Sequence, residues 1–175
     1  MMRILGVDPG LRTTGYGAIV STPAGPRLIE AGIITPRCDR PLEARLGTLH
    51  VELGAVIAAT APDAIVIEEL WSAYKNPATA VLMGHARGVL CLCAHERGVP
   101  LRHLAHSLVK RTIAGSGAAR KEQVNRMVMQ QLGLKTAPRP NDVSDALALA
   151  LAFAHIDETE RRFAAAGTSR VLRAL

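Results

Sequence analysis

Short apolar runs rich in β-branched residues alternate along this chain with longer stretches whose apolar positions recur every three or four residues. The first pattern predicts buried strands and the second amphipathic helices. Ile4, Leu5 and Val7 around Gly6 predict a first strand over 3–8, stopped by Pro9-Gly10 and a turn reaching Thr14. Residues 15–21 predict a second strand, Thr22-Pro23-Ala24-Gly25-Pro26 a turn, and residues 27–35 a third strand, giving an antiparallel meander. Pro41 opens a helix carrying Leu42, Leu46, Leu49, Leu53 and Ile57, which must end before Pro62. Residues 64–68 predict strand four, residues 77–96 a long helix closed at Gly98, and residues 101–104 strand five. Helices are predicted near 107–113, 121–132 and 142–155, with a flexible small-residue break over 113–119. Such an order predicts an α/β fold: a mixed five-stranded sheet with helices on both faces.

Four acids stand where this pattern could bring them together. Asp8 ends the first strand, Glu68 ends the fourth, and Asp142 and Asp145 open the last helix, three apart and so on one face. Ligands of open α/β sheets lie beyond the carboxyl ends of strands, and an oxygen-rich cluster there suits magnesium or manganese beside phosphate. Each acid also has a plainer reading. Asp8 before Pro9-Gly10 is an ordinary turn former. Asp142 and Asp145 could cap their helix or balance its dipole. Glu68 follows Ala64-Ile65-Val66-Ile67 and must reach solvent or a cation. Glu69 competes with it and points to the opposite face of the sheet.

With 175 residues, 49% of them hydrophobic, the chain supports one substantial core. One domain is placed at 1–156, with a basic tail over 157–175 that is either a frayed helix or disordered. The absence of a membrane-length apolar run and of a secretory pattern leads to an expectation of a cytoplasmic protein. Three cysteines, Cys38, Cys91 and Cys93, lack paired spacing and are expected to be reduced thiols. A net charge of +6 and a pI near 9.8 favour a polyanionic partner.

Gly6-Val7-Asp8-Pro9-Gly10-Leu11-Arg12-Thr13-Thr14-Gly15-Tyr16-Gly17, Ile67-Glu68, Gly84-His85-Ala86-Arg87-Gly88-Val89, Gly115-Ser116-Gly117 and Asp142-Val143-Ser144-Asp145-Ala146-Leu147-Ala148 occur in that order. Together these segments resemble the RuvC family of bacterial Holliday-junction resolvases, over residue 3 to about residue 155. The resemblance implies a ribonuclease H-like fold, a homodimer, and magnesium-dependent endonuclease action on four-way DNA junctions. It carries the four acids over as Asp8, Glu68, Asp142 and Asp145. Two metal ions at such a site could activate water and stabilise the leaving oxygen, with Asp8 the best candidate to bridge both and manganese a possible substitute. Lys110 and Lys121 match basic positions that in the family contact phosphates, and Arg111 and Arg120 flank them. Motor proteins that move junctions are implied partners.

The apolar helix from residue 78 to 96 could pack in the core or meet a second subunit. His85, His95, His103 and His106 read as core or surface residues rather than metal ligands, since no zinc-type spacing joins them. Asp8 to Gly17 is also similar to the phosphate loop of actin- and hexokinase-like ATPases, but a second such loop is missing from the sequence. A related nuclease for other branched DNA or RNA, or a noncatalytic DNA-binding module, is the remaining alternative. Trp71 and Tyr74 closely follow Glu68 in a chain with five aromatic residues, so Trp71 is a candidate for stacking on an unpaired base. Trp71→Ala should lower junction cleavage more than it lowers the unfolding free energy in a denaturant titration. Equal losses would mark Trp71 as packing alone.

Overall fold

The computed structural model describes residues 1–69 and 77–165. Trp71 and Tyr74 lie outside the described residues. The elements run β1 (Met2–Asp8), β2 (Thr14–Thr22), β3 (Gly25–Ile34), α1 (Leu42–Thr60), β4 (Ala64–Glu68), α2 (Pro77–Glu96), β5 (Leu101–Leu104), α3 (His106–Ala114), α4 (Lys121–Leu132) and α5 (Asn141–Ala165). The five strands form one sheet in the order β3-β2-β1-β4-β5. β1–β2 and β2–β3 are antiparallel, whereas β4 pairs parallel with both β1 and β5, as the expected mixed sheet requires.

Alternation along the strands divides the core in two. Ile4, Ile19, Ala64 and Val66 face a cluster completed by α3, α4 and α5. Leu5, Val7, Ala18, Ile65 and Ile67 face the opposite cluster, which holds Leu49, Leu53 and Ile57 of α1 and Ala86, Leu90 and Cys93 of α2. Cys93 is thereby buried while Cys91 is only half-buried, in line with two thiols two apart on a helix, and all three cysteines are free. No helix among the described residues is long and apolar enough to cross a membrane.

Helix α5 is the central strut. Its buried residues run from Val143 to Phe153 and Ala154, and they lie against β1 and β2. Two glycines permit this approach. A methyl group on Gly6 would stand 1.9 Å from the Ala146 carbonyl oxygen, and one on Gly15 would stand 2.2 Å from the Asp142 carbonyl oxygen. A side chain at either position would push the helix off the sheet.

The last helix runs longer than its apolar pattern predicts. α5 continues without interruption past residue 156 to Ala165, so the first part of the expected tail is helix. Arg161 Nε–Asp157 Oδ2 at 2.8 Å and the Arg162–Glu158 pair are both spaced i,i+4. Each such pair adds only about 0.3–0.5 kcal/mol, but extending a packed helix avoids the cost of nucleation. Residues 166–175 lie outside the described residues.

Gly6→Ala should destabilise the fold by about 3 kcal/mol or more, because the obstacle is backbone rather than a movable side chain. Gly47→Ala in α1, where a methyl group meets nothing within 4 Å, should instead gain about 0.5–1 kcal/mol. Urea denaturation of both variants measures the contrast.

Candidate active site

The alternation that sorts the core also sorts the acids. Asp8 continues the Ile4–Gly6 side of β1, and Glu68 continues the Ala64–Val66 side of β4, so both aim at the face covered by α5. The parallel register pairs Val7 with Ile67, which brings the two strand ends level. Asp142 and Asp145 occupy the first turns of α5, seated there by the close contact at Gly15. Glu69, on the other parity, spends its backbone N–H on the Leu104 carbonyl oxygen at 2.8 Å.

The four carboxylates act on one another. Burial, followed by the negative charges of Asp145, Asp142 and Glu68, pushes the Asp8 carboxyl up to about 7, and Lys121 opposes this only in part. The Asp8 carboxyl therefore keeps its proton to a higher pH than an isolated aspartate would.

Cations and donors from α3 and α4 close the site. Lys121 Nζ lies 2.6 Å from Asp145 Oδ2. His106, an exposed surface residue as expected, has its Nδ1 2.8 Å from Glu68 Oε1. Lys110 and Lys121 line a cavity of about 160 Å³ together with Glu68, His106 and Asp145. Arg111 and Arg120 are exposed and lie outside its lining. Asp142 instead borders a second cleft of about 570 Å³, with Arg12 and Thr13 of the β1–β2 loop and Leu82 and Met83 of α2.

Three supporting residues escaped the sequence reading. Arg87, buried on α2, donates from Nη1 to the Glu68 carbonyl oxygen, and its Nη2 stands 3.1 Å from His103 Nδ1 on β5. Ser144, fully buried between the two aspartates of α5, donates from Oγ to Asn125 Oδ1 at 2.8 Å and ties α5 to α4. His106 is the third. A lone arginine in an apolar helix was a legible signal for Arg87. Nothing local marks Ser144 or His106, because their partners are distant in the chain.

The donor set suits a hard divalent cation. Glu68, Asp142 and Asp145 all act electrostatically on the buried Asp8, and Lys121 offsets their charge only in part. Among the described residues no group of three or more His, Cys, Asp or Glu side chains stands close enough together to hold a metal ion. Glu68 and Asp145 are turned instead toward His106 and Lys121.

A family profile described as crossover junction endodeoxyribonuclease RuvC matches residues 4–155. The crossover junction endodeoxyribonuclease RuvC of Rhodopirellula baltica is 49% identical over 150 residues, covering 85% of this chain and 83% of that protein. Its counterpart from Chloroflexus aggregans is 40% identical over 162 residues, covering 93% and 98%. Among solved structures, Thermus thermophilus RuvC in complex with a Holliday junction substrate superposes with a TM-score of 0.82 at 34% identity, covering 96% of this chain and 98% of that one. The sheet order, the two helical layers and the full span of these matches agree: this chain belongs to the RuvC family and has its ribonuclease H-like fold.

Proposed function

We propose that this protein is a Holliday-junction resolvase, an endonuclease that hydrolyses phosphodiester bonds on two like strands of a four-way DNA junction and leaves 5′-phosphate and 3′-hydroxyl ends. One observation carries the reading. Burial and the charges of Asp145, Asp142 and Glu68, from the other strand end and one helix, raise the Asp8 carboxyl to about 7, in a chain of the RuvC family. A noncatalytic module would gain nothing from holding so much like charge together.

Asp8, Glu68, Asp142 and Asp145 are the residues that would hold the metal. Magnesium, or manganese in its place, supplies water activation and charge neutralisation when bound. Lys110 and Lys121, which line the cavity beside Glu68 and Asp145, contact the scissile phosphate. Arg111 and Arg120, both exposed, track the backbone farther out, and Trp71 stacks on a base at the opened crossover. The basic balance of the chain, +6, favours such a polyanion.

Cutting two strands calls for two sites. Val81 and Leu92 of α2 are 58% and 52% exposed and eleven residues apart, so they share one face of the helix. Gly84 and Gly88 are open on the same helix, with nothing within 4 Å of a methyl group there. An exposed apolar stripe with glycine notches suits a two-fold homodimer matching the symmetry of the junction. Motor proteins that migrate junctions would act on the same DNA.

With magnesium, the protein should cut synthetic four-way junctions and spare linear duplex of the same sequence. Asp8→Asn and Asp145→Asn should each slow the cut by at least about 100-fold while retaining junction binding in a gel-shift assay. Comparable cutting of linear duplex would reduce the reading to that of a general nuclease.

The Asp8 shift also predicts how the ion-free protein responds to pH. Between an unfolded carboxyl near 3.8 and the folded value of about 7, the native state binds a proton that the unfolded chain has released. This contribution to stability therefore falls as pH rises across that interval and levels off above it. In EDTA, Asp8→Asn should flatten the decline and stabilise the fold at pH 8 by on the order of 2 kcal/mol. Urea midpoints at pH 5, 6, 7 and 8 test the sign; a wild-type stability that rises across this range and is unaffected by Asp8→Asn would refute it.

A further inference from the structure

We infer that His106 is a positioning residue for Glu68, holding one oxygen of this carboxylate so that the other is presented to the divalent cation. The inference deepens the proposed metal-dependent function and rests on it.

The frame that places His106 is backbone, and it starts at the strand that carries Glu68. The parallel β4–β5 register sets Glu68 beside Leu104, and the Glu69 N–H donates to the Leu104 carbonyl oxygen at 2.8 Å. Ala105 follows in extended conformation as the N-cap of α3, and its carbonyl oxygen accepts from Leu108 N–H at 2.9 Å and Val109 N–H at 3.0 Å. Val109 and Ile113 are buried and fasten α3 to the core. His106, the first residue of the helix, has little freedom to stand elsewhere. Its ring nitrogen Nδ1 lies 2.8 Å from Glu68 Oε1, although the imidazole itself is exposed.

Glu68 is thus fixed at two points. Its main-chain carbonyl oxygen accepts from the buried Arg87 guanidinium on one side of the sheet, and its side chain meets His106 on the other. A ligating carboxylate held by an outer hydrogen bond loses rotamer freedom before the cation arrives rather than on binding, and such outer partners typically contribute about 10–100-fold to metal affinity.

The partners of the two engaged acids differ in kind. Lys121 Nζ, 2.6 Å from Asp145 Oδ2, carries a full positive charge that competes with an incoming cation. An imidazole can donate through Nδ1–H while neutral, so His106 can keep its hydrogen bond when Glu68 binds metal. Asp145 must exchange its partner, whereas Glu68 retains one.

The test uses Mn²⁺ alone as probe, titrated calorimetrically into the wild-type full chain and into His106→Ala, His106→Asn and Glu68→Gln. His106→Ala should weaken Mn²⁺ binding by about 10-fold or more, with an unchanged melting temperature in EDTA. His106→Asn, whose amide can donate a similar hydrogen bond, should recover affinity to within about threefold of wild type. Unchanged affinity in His106→Ala, or a loss that His106→Asn does not relieve, overturns the positioning role. If wild type binds Mn²⁺ and Glu68→Gln does not, such a result condemns the role of His106 alone. A wild-type chain that binds no Mn²⁺ removes the metal centre and this inference together.

Discussion

The approach of α5 to the glycine-notched face of β1 and β2 is the contact on which core and site both depend. Gly6 and Gly15 let the backbone of the helix rest almost on the backbone of the sheet. The apolar side chains from Val143 to Ala154 then bury one whole layer of the core. The same contact carries the first turn of α5, with Asp142 and Asp145, toward the ends of β1 and β4. Core packing thereby supplies the force that gathers like charges.

That gathering works against stability. Burial and three neighbouring carboxylates raise Asp8 to about 7, so the fold accepts an electrostatic cost where the four acids are gathered. Lys121 offsets part of it through Asp145, and His106 engages Glu68. Natural folds tolerate such local conflict where chemistry requires it, because hydrophobic burial elsewhere over-determines the backbone.

Elements from both faces of the sheet converge on Glu68. Arg87 reaches its carbonyl oxygen from α2, within the layer formed with α1, while His106 approaches from α3 within the layer formed with α4 and α5. The strand end is clamped between layers, which limits the freedom of Glu68. The polar tie from Ser144 to Asn125 serves α5 similarly, fixing the helix that bears the two aspartates to α4 and thus to Lys121.

The periodicity of the chain determined the strands, the helices and the burial of the sheet on both faces, since side-chain alternation and helical repeat are local properties. It also located Asp8, Asp142 and Asp145, because strand ends and helix starts carry their own turn and cap signals. Only tertiary structure decided which of Glu68 and Glu69 faces α5: alternation says that neighbours point apart, but which side the helix covers depends on long-range packing. The partnership of Glu68 with His106 spans 38 positions and follows from the β4–β5 register, and that of Asp145 with Lys121, separated by 24, follows from the packing of α4 on α5. The extension of α5 to Ala165 likewise rests on a stem already packed against the sheet. Sequence fixes what each residue can do within a few positions of itself; bringing distant charges to one point takes a folded core to hold them there.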